Sequence, residues 1–151
     1  MPGPLDGIKI IEFTQIIAAP FGGMLLADMG AEIIKVEPLE GEPWRLHTEF
    51  IPKESKTFIG LNRGKKSLPL DLQSPEGLEI AQKLVADADV VIINARPDVP
   101  KNLGIDYETL SQINPKIIYC DNTAFGRRGP HGYRPGSVSY THLTLPTNRE
   151  V

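Results

Sequence analysis

The sequence predicts an α/β fold, a Rossmann-like, doubly wound parallel sheet with helices on both faces. Short apolar runs of strand length recur at Ile8 to Phe13, Ile33 to Val36, Val90 to Ile93 and Ile117 to Tyr119. Segments with helical apolar spacing lie between them. The first such pair encloses a strand, a loop, a helix and a strand within Pro4 to Pro38, which is a βαβ unit and so calls for parallel pairing.

The elements follow in order. Ile8 to Phe13 is the first strand, and Thr14 to Ala19 is the loop after it. Pro20 sits in the opening turn of a helix, where its fixed φ and missing N–H are tolerated. Met24, Leu25 and Met29 fall near one helical face, and Gly30 stops the helix as a C′ glycine. The second strand, Ile33 to Val36, runs into Glu37-Pro38. From Glu40 to Lys56 no period is sustained, which predicts a surface excursion. Asn62 to Ser67 reads as a turn with three cations, and Leu68 to Leu72, which contains Pro69, as a short edge strand.

Ser74-Pro75-Glu76 is a helix start with an N-cap, a proline at N1 and an acid in the first turn. Leu78, Ala81, Leu84 and Val85 form the buried stripe of that helix. Val90 to Ile93 is continuously apolar, as suits a strand covered on both faces, and Asn94-Ala95-Arg96-Pro97 follows it. A short helix from about Tyr107 to Ile113 precedes a further buried strand at Ile117 to Tyr119. Phe125 to Pro130 is a Gly-containing loop.

At 151 residues, with 40% hydrophobic content and a net charge of −3, the composition fits a soluble globular protein with no basic face for nucleic acid. No apolar run reaches membrane-spanning length, and the amino terminus lacks the pattern of a signal peptide. Cys120 is the sole cysteine, so the expected compartment is a reducing cytoplasm, and Cys120 reads as a small strand residue.

Glu37 stands where a dinucleotide-binding domain keeps an acid for the ribose. The loop that should carry G-x-G-x-x-G instead reads TQIIAAPFGG, in which Ile16 and Ile17 would block a pyrophosphate. No NAD or flavin site is therefore expected. His47 and His131 have no second ligand at metal-binding spacing, so no metal is expected either. The strand-end segments Gln15 to Pro20, Leu70 to Leu72, Asn94 to Pro97 and Gly126 to Gly129 remain as the ligand-binding rim of an open α/β sheet. Lys65, Lys66, Arg96, Lys101, Arg127 and Arg128 lie in or near them and are candidates to meet a phosphorylated ligand.

From about Ser137 the character changes. The stretch SVSYTHLTLPTNREV has neither helical stripe nor strand alternation, and it resembles the translated read-through of a sequencing adapter. Two segments are thus expected: residues 4–136 as the informative domain and 137–151 as a non-native tail.

The blocks PLDGIKIIEFT, AAPFGGMLLADMGAEIIKVEP, NRGKKSLPLDL, ADVVIINARPDV, LGIDYETL and NPKIIYCDNTAFGRRGP, in this order, resemble the family III CoA-transferases, which include formyl-CoA and carnitine CoA-transferases and the related α-methylacyl-CoA racemases. The resemblance covers about Pro4 to Gly136. It implies the N-terminal part of the family's large domain, an incomplete sheet, and transfer of CoA from an acyl-CoA to a carboxylic acid through an aspartyl-CoA intermediate. The reactive aspartate would lie beyond the Gly126 to Pro130 block, and Asp28, Asp71 and Asp121 do not take its place. An α-methylacyl-CoA racemase and a CoA-binding fragment without catalysis are the alternatives. By the same resemblance the CoA-binding positions are Ile17, Ala18, Leu70, Asp71, Leu72, Asn94, Ala95 and Arg96, with Lys101 as a substitute cation. Pro38 and Asn102 stand where some members place arginines. The family also implies an interlocked homodimer, so the 151-residue chain by itself is expected to be poorly soluble or only partly folded, and inactive.

Overall fold

The computed structural model describes residues 2–47, 49–52 and 54–134. The tail from Ser137 to Val151 lies outside the described residues. The main sheet comprises β1 (Lys9–Phe13), β2 (Glu32–Glu37), β5 (Lys65–Pro69), β6 (Val90–Ile93) and β7 (Ile118–Asp121). Their order is β5-β2-β1-β6-β7, and every pairing is parallel. The chain builds outward from β1 through β2 to β5, then returns to the other side of β1 for β6 and β7. The order therefore reverses between β1 and β6, the topological switch point of an open α/β sheet.

Helix α1 (Ala18–Asp28) covers one face. It closes with a Schellman pattern, in which Ala31 N–H donates to Leu26 O at 3.1 Å and Gly30 N–H to Ala27 O at 2.9 Å, and Gly30 supplies the required φ of +103°. Helices α3 (Pro75–Ala86) and α5 (Tyr107–Ile113) cover the other face. Ser74 and Asp106 cap them by accepting from Gly77 N–H and Thr109 N–H. Two cores result. Ile11, Phe13, Val36, Val91 and Ile93 face α3 and α5, whereas Ile10, Ile33 and Ile92 lie on the α1 side with Ala19.

Several expectations change. Of the α1 residues Met24, Leu25 and Met29, only Met24 is buried; Leu25 and Met29 are exposed, because position 24 is about 100° round the helix from position 25. The excursion after β2 contains local structure: a 3-10 turn at Pro43–Arg45, the short antiparallel pair β3 (Glu49–Ile51) and β4 (Glu54–Ser55), and α2 (Lys56–Asn62). Helix α2 has no acidic residue in its first turn and buries only Phe58 and Asn62, so it shows no apolar stripe in the sequence, and Ser55 specifies its start by accepting from Phe58 N–H. Lys65, Lys66 and Ser67 belong to β5 rather than to a turn, since they pair in parallel with Ile33, Ile34 and Lys35 of β2 at the edge of the sheet. The chain leaves the strand at Pro69, and Leu70 to Leu72 form the turn after it. A short helix missed in the sequence, α4, spans Val99–Asn102. Strand β7 is an edge strand with Ile118 and Cys120 exposed, not a buried strand, because only β6 pairs with it.

Candidate functional site at the strand ends

At the carboxyl end of the sheet the loops after β1 and β6 meet across the switch point. Asn94 Oδ1 accepts the Gln15 N–H at 2.9 Å, and Asn94 Nδ2 donates to Gln15 O at 2.8 Å. The next residue, Ile16, has a φ of +71°, the only positive φ among the described non-glycine residues. A β-branched residue is strained there, and Ile16 and Ile17 are both exposed at the start of α1.

Beside this loop lies a cavity of about 390 Å³, lined from β1 by Phe13, Thr14 and Gln15, from β2 by Val36 to Glu40, and from the turn after β5 by Leu70 to Gln73. Ile93 and Ala95 close it from β6, with Val99, Leu103 and Ile105 beyond them. The turn after β5 is held by Leu70 N–H donating to Glu37 O at 2.8 Å and by Ser74 Oγ donating to Asp71 O at 2.8 Å. Gly77 has a specific role here, since a Cβ on it would stand 2.0 Å from the Asp71 carbonyl oxygen. A second cavity, of about 350 Å³, lies at the opposite end of the sheet between α3 and the starts of β1 and β2. The amino ends of the strands are not where open α/β sheets bind ligands, so the first cavity is the candidate site.

The sheet face beneath α1 turns ionic toward this end. Glu12, Lys35 and Glu37 alternate along β1 and β2 on that face, and all are buried. Lys65 Nζ lies 3.0 Å from Glu12 Oε1 and also donates to Pro20 O at 2.8 Å. Lys35 Nζ donates to Thr14 O at 2.8 Å and lies 3.0 Å from Glu42 Oε2. Glu37 accepts from Arg45 Nε at 2.8 Å, Arg45 Nη2 at 2.7 Å, Ser67 Oγ at 2.7 Å and Glu42 N–H at 3.1 Å. Burial pushes the Glu37 carboxyl up, but Arg45, Ser67 and the Glu42 N–H together hold it below the usual carboxylate range. Burial raises Glu42, with Lys35 offsetting only part of it, and burial lowers Lys65 against the pull of Glu12. With four donors on its two oxygens, Glu37 is committed to the protein and has no capacity left for a ribose hydroxyl.

Leu70, Asp71, Leu72 and Ala95 line the cavity, and Asn94 clamps the neighbouring loop. Ile17 and Ala18 begin α1 on the exposed side of that loop, while Arg96 and Lys101 are exposed on the flank after β6. The candidate cations divide. Lys65 and Lys66 start β5, but their side chains diverge: Lys65 Nζ runs beneath α1 to Glu12 and Pro20 O, whereas Lys66 pairs with Glu32 at 2.5 Å near the amino end of β2, and neither lines the cavity. Arg127 pairs with Asp121, and Arg96 stands 3.7 Å from Asp98. Gln15, the first residue of the rim segment read from the sequence, does line the cavity, but sequence reasoning missed the wall formed by Phe13, Thr14, Pro38 to Glu40, Gln73, Val99 and Leu103. It also missed the buried ionic face, although a charge inside a strand covered on both sides, as in IIEF and IIKVE, must have a partner.

The sequence profile of CoA-transferase family III matches residues 5–139. The chain belongs to CoA-transferase family III. It is 42% identical over 136 residues to the Succinate--glutarate CoA-transferase of Agrobacterium fabrum, an alignment covering 85% of this chain and 34% of that protein. It is 39% identical over 154 residues to the human Succinyl-CoA:glutarate CoA-transferase, covering 96% of this chain and 35% of that protein. Among solved structures it is similar to a CAIB/BAIF family protein from Brucella suis, with a TM-score of 0.85 and 42% identity over 90% of this chain and 37% of the other. It is also similar to Rv3272 from Mycobacterium tuberculosis, with a TM-score of 0.84 and 38% identity over 99% of this chain and 43% of the other. The family III domain described here spans about a third of the length of the curated relatives it matches.

Proposed function

We propose that this chain is the CoA-holding part of an enzyme that moves CoA between an acyl-CoA thioester and a carboxylic acid. The observation that carries the reading is the cavity at the switch point, walled by Leu70, Asp71, Leu72 and Ala95, which are positions the resemblance assigns to CoA. The saturated Glu37 supports it as well, because a dinucleotide site would need that carboxylate. The relatives named above are transferases, which favours transfer over racemisation.

In the proposed reaction an aspartate carboxylate attacks the thioester carbonyl, the C–S bond breaks, and a mixed anhydride forms as CoA thiolate leaves. The thiolate attacks the aspartyl carbonyl of that anhydride, the acyl carboxylate leaves, and an aspartyl-CoA thioester remains. The acceptor carboxylate then repeats the two steps in reverse and takes the CoA. One thioester replaces another, so no external energy source is required. Asp28 and Asp121 are engaged by Arg63 and Arg127, and Asp71 shapes its own turn by accepting from Gln73 N–H at 2.9 Å. By the family resemblance the reactive aspartate lies beyond the Gly126 to Pro130 block, and these three do not take its place.

A homodimer belongs to the same reading. Ile17, Phe21, Leu25 and Met29 recur every four residues along α1 and are all exposed, a stripe that supports a covered face in the assembly. A cytoplasmic location belongs to it too, supported by an exposed thiol at Cys120. Among the described residues no helix is long and apolar enough to cross a membrane.

Isothermal titration with CoA and, separately, with NAD tests the reading, using the full-length protein that contains this domain, or the 151-residue chain once a cooperative thermal transition has shown it to fold. Saturable binding of CoA without binding of NAD is expected. Binding of NAD in preference to CoA overturns it.

A further inference from the structure

The segment that follows β2 is fastened at several points. Pro38 O accepts from Gly41 N–H at 2.8 Å, which closes a turn over residues 38–41, and Pro38, Leu39 and Glu40 of that turn face the strand-end cavity. Gly41 has a φ of +87°, and a Cβ there would lie 2.5 Å from Arg45 Cδ, so the turn needs glycine both for its backbone and for the passage of the arginine. Arg45 crosses the turn, stacks with its Cζ 3.8 Å from the Phe58 ring centroid, and delivers two N–H groups to Glu37. Glu42 is fully buried, its N–H donates to the same Glu37 and its carboxylate reaches Lys35. Lys35 in turn holds Thr14 O on the opposite wall of the cavity. Ser55 Oγ donates to Trp44 O at 2.6 Å and ties the 3-10 turn to the start of α2. A surface excursion normally keeps its polar groups in water. Here two of its charged side chains are buried or nearly so, and both end on β2: Arg45 on Glu37, which lines the cavity, and Glu42 on Lys35, which holds the cavity residue Thr14.

We propose that Arg45 and Glu42 are positioning residues for the ligand site: acting through Glu37 and Lys35, they lock the 38–41 turn in place as the outer wall of the cavity. Neither is a catalytic residue, since each acts through a β2 side chain. The inference rests on the reading that the cavity takes CoA, and it adds how that cavity keeps its shape. A lysine cannot reproduce the forked geometry of Arg45, so the lock is specific to arginine.

The test uses the 151-residue chain, in which Trp44 is the sole tryptophan and sits inside the locked segment. CoA affinity, melting temperature and Trp44 emission are measured for the wild type and for Arg45→Met, Arg45→Lys, Glu42→Gln and Val85→Ala. Val85 is buried in α3 against the far end of the sheet and supplies a loss of stability unconnected with the lock. Arg45→Met is expected to weaken CoA binding at least tenfold and to shift Trp44 emission to the red, with Arg45→Lys between it and the wild type. Val85→Ala is expected to lower the melting temperature while affinity and emission stay as in the wild type. Wild-type affinity in Arg45→Met, or an equal loss of affinity in Val85→Ala, overturns the inference. Should Arg45→Met fail to fold, Arg45→Lys and Glu42→Gln carry the same comparison. Should the wild type bind no CoA, the CoA reading fails, and the emission of Trp44 still decides the lock: a red shift in the Arg45 variants supports it and an unchanged spectrum overturns it.

Discussion

Asn94 grips both main-chain groups of Gln15, accepting from its N–H at 2.9 Å and donating to its carbonyl at 2.8 Å. The two residues lie 79 positions apart in the chain and join the loops after β1 and β6 across the point where strand order reverses. An aspartate could accept but not donate, and a leucine could do neither. Asn94→Ala should therefore lower stability by about 1–2 kcal/mol, the loss of two partly exposed hydrogen bonds. Urea denaturation reads that change. Affinity for CoA should fall with it, because the clamp holds the loop that leads into α1.

Gly22 and Gly23 make a sharper pair. A Cβ at position 22 meets nothing within 4 Å, whereas one at position 23 would lie 2.8 Å from Glu12 Oε2. Gly22→Ala should stabilise the chain by about 0.5–1 kcal/mol through helix propensity. Gly23→Ala should destabilise it by about 1–3 kcal/mol, because it pushes α1 off a buried carboxylate. Opposite shifts of melting temperature in the two variants are the expected result.

Ile16 occupies a left-handed conformation that its branched side chain disfavours. Ile16→Gly should relieve about 1 kcal/mol of strain, even after the greater freedom of glycine in the unfolded chain is counted. Thermal unfolding checks the sign, and a lower melting temperature would show that the exposed isoleucine packs on something that compensates for its backbone.

Within the buried ionic face the carboxylates Glu37 and Glu42 make opposed contributions to the pH dependence of stability, and Glu32, Glu79 and Asp106, also held below their ordinary range, add to the loss in acid. The Glu37 carboxyl is held below its ordinary range when folded, so its contribution is present above the unfolded pKa and is lost as pH falls through the lowered folded value. The Glu42 carboxyl is raised when folded, so its ionised form costs stability at neutral pH, and that cost is relieved as pH falls through the raised value. Stability should rise slightly on mild acidification and then drop as Glu37 is protonated. Arg45→Met should flatten the drop and leave the rise, which denaturation midpoints between about pH 6 and about pH 3 would reveal.

The parallel sheet was legible because its apolar runs are continuous and the connecting helices carry caps. Ser74-Pro75-Glu76 and Gly30 mark their helix ends by local chemistry, and the structure keeps both. The excursion after β2 was opaque for the opposite reason. Helix α2, as long as α5, buries only Phe58 and Asn62 and so shows no apolar stripe, strand β4 has two residues, and tertiary contacts such as Arg45 with Phe58 and Ser55 with Trp44 O fix them. The site divides in the same way. Leu70 to Leu72 and Ala95 follow strands and were visible as strand-end positions, whereas Pro38 to Glu40 become a cavity wall only once Arg45 reaches back across Gly41. The exposure of Leu25 and Met29 has a related origin, since a hydrophobic stripe in sequence does not reveal which partner covers it.

The central claim is that the switch-point crevice holds CoA. Amide chemical-shift mapping of the isotopically labelled chain during a CoA titration tests it most directly. The account predicts saturable shifts concentrated at Thr14 to Ala18, Leu70 to Gln73 and Asn94 to Arg96. Absence of shifts at these residues, or shifts confined to Lys9 to Ile11 and Lys83 to Asp87 at the other end of the sheet, would contradict it.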